Sequence, residues 1–404
     1  MKQVRDVDFL SDLPDAIIHL IFSFLTTKDA VRASSLSRAW RNRWKSSPFL
    51  CFSHSEFNSC KSFNLFASAV LLDRDPVDLQ SFKFFGDKDG ATSRVAYKWI
   101  KHALRHKVKE LVLDLHNTAF SGIPLSVFSN KALEFLCLIA RYSGCINLSL
   151  PVPDAALYRL RVLHVMRFDL RSVEFDKMLT GCPVLEELLL EDCRLKKPRI
   201  SMPKLKCLKF IHCVLCDGVV IASNPNLQKL VIYYDFSFSL GNFAVIIDKL
   251  PSLVDAVLCL DRCDRISFEG DGLLNVKWLQ ILLPEVKESL KSIINWISSS
   301  RLHNLKYAEL LTPLNKKYIK AVKQAIACMP NLENLEIREN LPIVRARSGL
   351  EPEKVLSEHF ALPKHLHSVK IIPLEPLEVF MDFLSNSVHL KRTDKEELEK
   401  YVPL

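Results

Sequence analysis

The sequence predicts an α/β chain in two parts: a small all-α module at the N-terminus, then a solenoid whose short strands lie side by side in a curved parallel sheet. Three observations carry this. A leucine motif recurs along most of the chain at near-constant spacing, its residues alternate apolar and polar with period 2, and residues 13–25 show helical spacing instead. The 404 residues are 49% hydrophobic and 25% charged, ordinary for a globular chain and enough for two domains or one extended array. The start, MKQVRDVDFLSDLP, lacks the features of a secretory signal, and no apolar run approaches the roughly 18 residues of a membrane span. The expectation is a soluble chain of the cytoplasm or nucleus with no membrane partner. In that setting the 12 scattered cysteines are reduced thiols, most of them core packing. A formal charge of +9, from 55 basic and 46 acidic residues, permits acidic partners without identifying them.

The first element is LPDAIIHLIFSFL, residues 13–25, apolar on nearly every side. Ile17, Ile21, Phe24 and Leu25 form one row, and Ile18 and Phe22 lie beside it on the turn expected to face solvent, with Asp15, His19 and Ser23 as polar relief. A surface helix needs one apolar stripe, so the second must be covered by this chain or by another. Pro14 suits the first turn, and Thr27 is expected to cap a second helix with Asp29 in its first turn. Further on, Leu36, Trp40 and Trp44 recur every four residues as the apolar row of another helix. The arginines of SRAWRNRWKSS (Arg38, Arg41, Arg43) and Lys45 could hold nucleic acid by phosphate contact and stacking. Helical spacing accounts for them as a solvated basic face, and no nucleic-acid partner is expected.

The repeats follow. Five times a proline sits two residues before a leucine that opens an L-x-x-L-x-L-like register: CPVLEELLL, MPKLKCLKF, NPNLQKLVI, LPSLVDAVL and MPNLENLEI. Pro183, Pro203, Pro225 and Pro251 are 20, 22 and 26 residues apart, within or near the period of leucine-rich repeats. Looser copies, VKELVL (108–113), LEFLCL (133–138) and LRVLHV (160–165), precede them, and VKWLQI (276–281), LKYAEL (305–310) and LHSVKI (366–371) continue the array. Each x-L-x-L segment suits a short strand with its leucines inward. Between strands, FDKMLTG places Phe175, Met178 and Leu179 on one helical face, and LKSIINWI does the same with Leu290, Ile293, Ile294 and Ile297. Such arrays bind partners and rarely catalyse.

His212, Cys213 and Cys216 of HCVLC could open a zinc site. Their place in the register argues otherwise: Cys193 follows Leu188 and Leu190 as Cys213 follows Leu208 and Phe210, an inward position of the repeat. No second well-spaced Cys/His pair completes a site, and Cys259 and Cys263 of CLDRC have the wrong separation. Phosphate-binding, dinucleotide, zinc-protease and nucleophile-elbow motifs are missing. No catalytic residue, metal or cofactor is expected.

Residues 9 to about 50, FLSDLPDAIIHLIFSFLTTKDAVRASSLSRAWRNRWKSSPFL, resemble an F-box, through Leu13-Pro14, Ile17, Ile18 and Ile21, Phe24-Leu25, Lys28, Ala30-Val31, Leu36-Ser37 and both tryptophans. The remainder is similar to the plant family that joins an F-box to leucine-rich repeats and an FBD tail. WIKHALRHKVKELVLDL, LTGCPVLEELLLEDC and MPNLENLEI carry this likeness. The implied division is an F-box at 1–55, a connecting segment or solenoid cap at 56–107, repeats at 108–340 and an FBD-like tail at 341–404, whose last strand is replaced by the charged TDKEELEK. The resemblance implies that Leu13, Pro14, Ile17, Ile18, Ile21, Leu25, Val31, Leu36 and Trp40 meet a Skp-type adaptor, which links the chain to a cullin and RING scaffold. It also implies a non-catalytic receptor that holds a target protein for ubiquitination. A non-degradative interaction protein that binds the adaptor alone is the competing reading, separated from the first by target lifetime.

The register places the target. Residues flanking the inward leucines project from the other sheet face, so Leu189, Ile211, Val231, Tyr233, Val257, Cys259 and Leu282 are expected on one apolar concave surface. Glu309, Glu336 and Arg338 would form its charged flank, as an interface core grades into a polar rim. The alternative is that another segment, such as the tail after Pro373, covers this face.

Overall fold

The computed structural model describes residues 13–38, 40–86, 93–115, 123–140, 146–147, 157–171, 173–222, 224–235, 242–261, 265–270, 272–284, 287–300, 302–312, 316–339 and 366–372. Residues 1–12 of the N-terminal module, Cys263 and all of the predicted tail except 366–372 lie outside them. The chain divides into two compact units, one of residues 1–198 and 202–216, the other of 199–201 and 217–404.

The first unit begins with two helices, α1 (Asp15–Ser23) and α2 (Thr27–Arg32). Pro14 stands at the N-cap of α1, where its missing N–H costs nothing. Thr26, not Thr27, caps α2: its hydroxyl accepts from Asp29 N at 3.2 Å. Thr27 is buried and its hydroxyl accepts from Cys51 N at 2.8 Å. The third helix expected through Leu36, Trp40 and Trp44 does not form. Residues 33–38 and 40–47 run through short 310 turns joined by i→i−3 bonds, such as Trp40 N to Ser37 O and Lys45 N to Asn42 O. The serines of this stretch bond their own backbone, Ser35 to Arg32 O and Ser46 to Arg43 O, which competes with helix formation.

The parallel sheet of this unit starts at the strand Phe49–Ser53, ahead of residue 108, and the segment 56–107, expected as a connector or solenoid cap, contributes the strand Ser81–Phe85 to it. That strand pairs with Ser81–Phe85, which pairs with Glu110–Leu115. Helices α3 (Cys60–Asp73) and α4 (Ser93–Arg105) form the crossovers. Inward positions here hold Leu50, Phe52, Phe82 and Phe84, packed with Phe63 and Trp99. The sheet continues through Phe135–Ala140, Val162–Met166, Glu187–Glu191 and Cys207–Ile211, all parallel and in register. A second ladder on the return arm joins Ile146–Asn147, Phe168–Asp169, Arg194–Lys196 and Val214–Cys216. Helix α5 (Val173–Thr180) falls on FDKMLTG as expected and buries Phe175, Met178 and Leu179.

The second unit repeats the plan with strands Lys229–Asp235, Asp255–Asp261, Trp278–Leu282, Tyr307–Thr312, Asn334–Glu339 and Ser368–Ile372. Its return arms pair Arg199–Ile200, Gly218–Ile221, Asn242–Ile247 and Arg265–Glu269. Gly218, at φ +105°, lies so close to the next coil that a Cβ would come 2.0 Å from Ala244 O, so only glycine fits. Helices α6 (Lys287–Ser300) and α7 (Lys316–Ala327) cover later repeats.

The proline punctuation has a local cause. Where such a proline stands, the strand is entered by a β-turn whose first and fourth residues are buried, with proline second: Leu185 N bonds Cys182 O around Pro183, Leu205 N bonds Met202 O around Pro203, and Leu253 N bonds Leu250 O around Pro251. Proline's fixed φ suits that position. Asparagines tie turns to their predecessors: Asn130 donates to Leu104 O, Asn275 to Pro251 O, Asn304 to Leu274 O and Asn331 to His303 O.

Candidate functional site: an apolar face on the N-terminal module and the outer faces of the two sheets

The two apolar rows of α1 divide opposite to expectation. Ile18 and Phe22 are fully buried, with Ala30 and Trp40, and the Phe22 and Trp40 rings meet edge-on at 5.8 Å. Leu13, Ile21 and Leu25 pack partly against this core. The row left in solvent is Ile17, Leu20 and Phe24, at 43%, 54% and 81% exposure, joined by Leu36 at 60%. Positions 17, 20 and 24 are i, i+3 and i+7, one continuous helical face. Of the residues expected to meet an adaptor, Ile18 and Trp40 are therefore corrected to the module's own core, because a module this small uses its largest side chains to hold itself together. Ile17, Leu36 and Pro14 stand in solvent; Leu13, Ile21, Leu25 and Val31 are half-buried. Sequence reasoning left Leu20 and Phe24 out of the site. Their i, i+3, i+7 relation to Ile17 was the available signal.

The basic stretch is tied into the protein. Arg43 pairs with Asp15, and Lys45 with Asp73 at 2.8 Å. Arg74, buried at the C-terminus of α3, donates to Ser47 O at 2.9 Å, and Lys28 donates to Glu56 O. The module is thus fastened directly to the first repeats.

On the outer sheet face of the first unit, Leu189 and Ile211 are half-buried, as the register expects. Next to Leu189, Glu187 binds His164 at 3.3 Å and Lys209 at 3.1 Å. Burial opposes the charge on Glu187, but Lys209 and His164 outweigh it and hold its carboxyl below the usual range. Burial pushes His164 down despite Glu187. Cys193 and Cys213 are buried and their thiols donate to Val165 O and Leu190 O, so they serve the core. Among the described residues no cluster of three or more His, Cys, Asp or Glu side chains could hold a metal ion.

On the outer face of the second unit the expected open patch is closed. Val257, Cys259 and Leu282 are buried, with Val231, Trp278 and Leu311 packed against them. Val257 and Leu282 are therefore corrected from open contacts to an outer-face core. Leu311 stands beside Leu282 in the same row, at a strand spacing of roughly 4.8 Å, and Trp278 packs on the cluster from the row of Asp255, so the two large neighbours shield it. Tyr233 is exposed and Val231 half-buried. Across the register, Glu309 and Glu336 are also buried, and Arg338 Nε lies 2.8 Å from a carboxylate oxygen of each. Tyr307 donates to Glu336 at 2.5 Å and stacks on Trp278. Burial pushes the Glu309 carboxyl up, against the pull of Arg338, with Glu336 adding to the rise. The charged flank exists, as a paired cluster and not an open rim.

Residues 10–52 match the F-box domain, and residues 96–260 match the LRR repeats of the FBD-associated F-box protein At5g56370. The chain thus carries an F-box match followed by a match to leucine-rich repeats of the FBD-associated type. It is 28% identical over 410 residues to the putative F-box/FBD/LRR-repeat protein At4g13965 of Arabidopsis thaliana, covering 99% of this chain and 88% of that one. Its relatives in that plant also include the F-box/FBD/LRR-repeat protein At5g22660, 25% identical over 95% of this chain and 89% of the relative. With the putative F-box/FBD/LRR-repeat protein At1g66290 it is 27% identical over 66% of this chain, and the match spans 59% of that protein's length. No helix among the described residues is long and apolar enough to cross a membrane.

Proposed function

We propose that this chain is the substrate-recognition subunit of an SCF-type ubiquitin ligase, without chemistry of its own. Its F-box docks a Skp-type adaptor through Ile17, Leu20, Phe24 and Leu36, and its repeats hold the target protein. The observation that carries this is the exposed row on α1: the module's core is already filled by Ile18, Phe22 and Trp40, so the row contributes nothing to folding. Exposed contiguous apolar side chains of this kind mark an interface. The match of residues 10–52 to F-box domains supports the adaptor as the occupant. The gain is in effective concentration, because a target held on the repeats keeps its lysines near the ubiquitin-loaded enzyme.

The test is co-purification of the full chain with a plant Skp-type adaptor. Leu20→Asp with Phe24→Asp is expected to abolish capture while the melting curve stays unchanged, because a carboxylate desolvated without a partner is strongly penalised. Wild-type capture by a folded double variant would sink the reading. A non-degradative role is the second reading, favoured by the burial of Val257 and Leu282, which withdraws two expected target contacts. Unchanged target lifetime after loss of this protein would support it.

A further inference from the structure

The first unit carries a basic pocket away from both faces described above. Its volume is about 540 Å³, and Leu104, Lys107, Asn130, Lys131, Tyr158 and Arg159 line it. They come from three successive turns, each preceding a strand of the sheet: Lys107 before Glu110–Leu115, Asn130 and Lys131 before Phe135–Ala140, and Tyr158 and Arg159 before Val162–Met166.

Two features mark the pocket. In the turn from Leu157 to Leu160, Tyr158 occupies the second position, which later turns fill with proline at Pro183, Pro203 and Pro251 and with other residues at Leu274 and His303. Nothing in the turn calls for tyrosine, and its ring is 58% exposed beside the pocket. The lining contains three cations and no carboxylate. Lys107 is paired with Asp78 at 3.0 Å, whereas Lys131 and Arg159 have no ion pair among the described residues. The next turn, around Pro183 and Val184, carries no charge, so the basic run is confined to these three.

We infer that this pocket binds an acidic segment of a polypeptide. Charge complementarity sets the sign. The span sets the size: three turns on adjacent parallel strands cover about 10 Å, the length of roughly three extended residues. Two carboxylate or phosphorylated side chains on such a segment reach Lys131 and Arg159, and an apolar neighbour lies on Tyr158. A nucleic acid is the poorer fit, because two unpaired cations neutralise too few phosphates to hold a strand. The inference rests on the reading above only in taking the segment to be part of the target.

Fluorescence anisotropy of the full chain with fluorescein-labelled hexaglutamate tests it. Binding should saturate, weaken with added salt, and fall at least tenfold in Lys131→Glu with Arg159→Glu. Lys61→Glu with Lys98→Glu makes the same change in net charge on α3 and α4 and should cost less than twofold. Lys131→Gln with Arg159→Gln, which reverses no charge, should give an intermediate loss if the first variant fails to fold. Equal losses in the two reversed variants, or tighter binding of an oligothymidylate than of hexaglutamate, would overturn the proposal. Adaptor capture is measured alongside: a chain that captures adaptor but ignores hexaglutamate refutes this inference alone, and the converse refutes only the adaptor reading.

Discussion

The Thr27 hydroxyl accepts a 2.8 Å hydrogen bond from the backbone N–H of Cys51, so the second helix of the F-box is bonded to the first strand of the repeat sheet. The N–H is satisfied from the side that has no neighbouring strand. Replacing Thr27 with Val keeps the shape and removes the acceptor, and should cost about 1–3 kcal/mol, the usual penalty for a buried unsatisfied group. Thr27→Ser should recover most of it. Denaturant unfolding reads both.

The division of α1 gives a paired prediction. Ile18→Ala opens a cavity in the module's core and should destabilise it by about 2–4 kcal/mol. Leu20→Ala trims a side chain that is more than half in solvent and outside the buried cluster, and should stay within about 0.5 kcal/mol. Equal effects would mean that the two rows are not what they are described to be.

Leu282 and Tyr233 separate in the same manner on the second unit. Leu282→Glu places a carboxylate among Val257, Cys259 and Trp278 and should cost several kcal/mol. Tyr233→Glu, on an exposed side chain, should leave the melting temperature nearly unchanged while weakening any target that uses this end of the sheet.

His102 supplies a pH dependence. Burial first, then the charges of His106, Arg74 and Arg105, push it down to about 4 from the ordinary histidine value of 6.5. Between those values the unfolded chain holds the proton and the folded chain does not, so stability falls as pH drops through this window. His102→Gln should flatten the slope of melting temperature against pH there. An unaltered slope would assign the acid sensitivity to other groups.

What was legible in the sequence follows the rigidity of the local cue. Proline at the second position of five entry turns and cysteine at the inward position after two of the strands are fixed by backbone geometry, so the register around Pro183, Pro203, Pro225, Pro251 and Pro330 and the roles of Cys193 and Cys213 could be read directly. The strands Phe49–Ser53 and Ser81–Phe85 were missed because phenylalanine replaces leucine at most inward sites, and Pro48 and Pro76 ahead of them do not open the L-x-x-L-x-L register that the later prolines announce. The rows of α1 were exchanged because both are apolar, and only the third dimension decides which one meets Trp40. The stretch through Leu36 and Trp40 shows helical spacing, but serines that bond their own backbone broke the period into turns. The closing of the second outer face depends on side chains from successive strands, Val257 and Cys259, Trp278 and Leu282, and Leu311, meeting in one cluster, and each step to the next strand is a loop closure that the local pattern does not announce.

The asparagine bonds between turns bear on how the chain acquires order. Asn130, Asn275, Asn304 and Asn331 reach back 26, 24, 30 and 28 residues, and strand partners are similarly close in sequence. Contacts of such short range carry a small loop-closure penalty and favour rapid folding. Within each unit a coil can therefore dock as soon as its own turn has been synthesised, on a template already in place, without waiting for the C-terminus. Loss of order should run the other way, fraying coil by coil from a free end, so that an early translational stop within a unit leaves the coils before it folded.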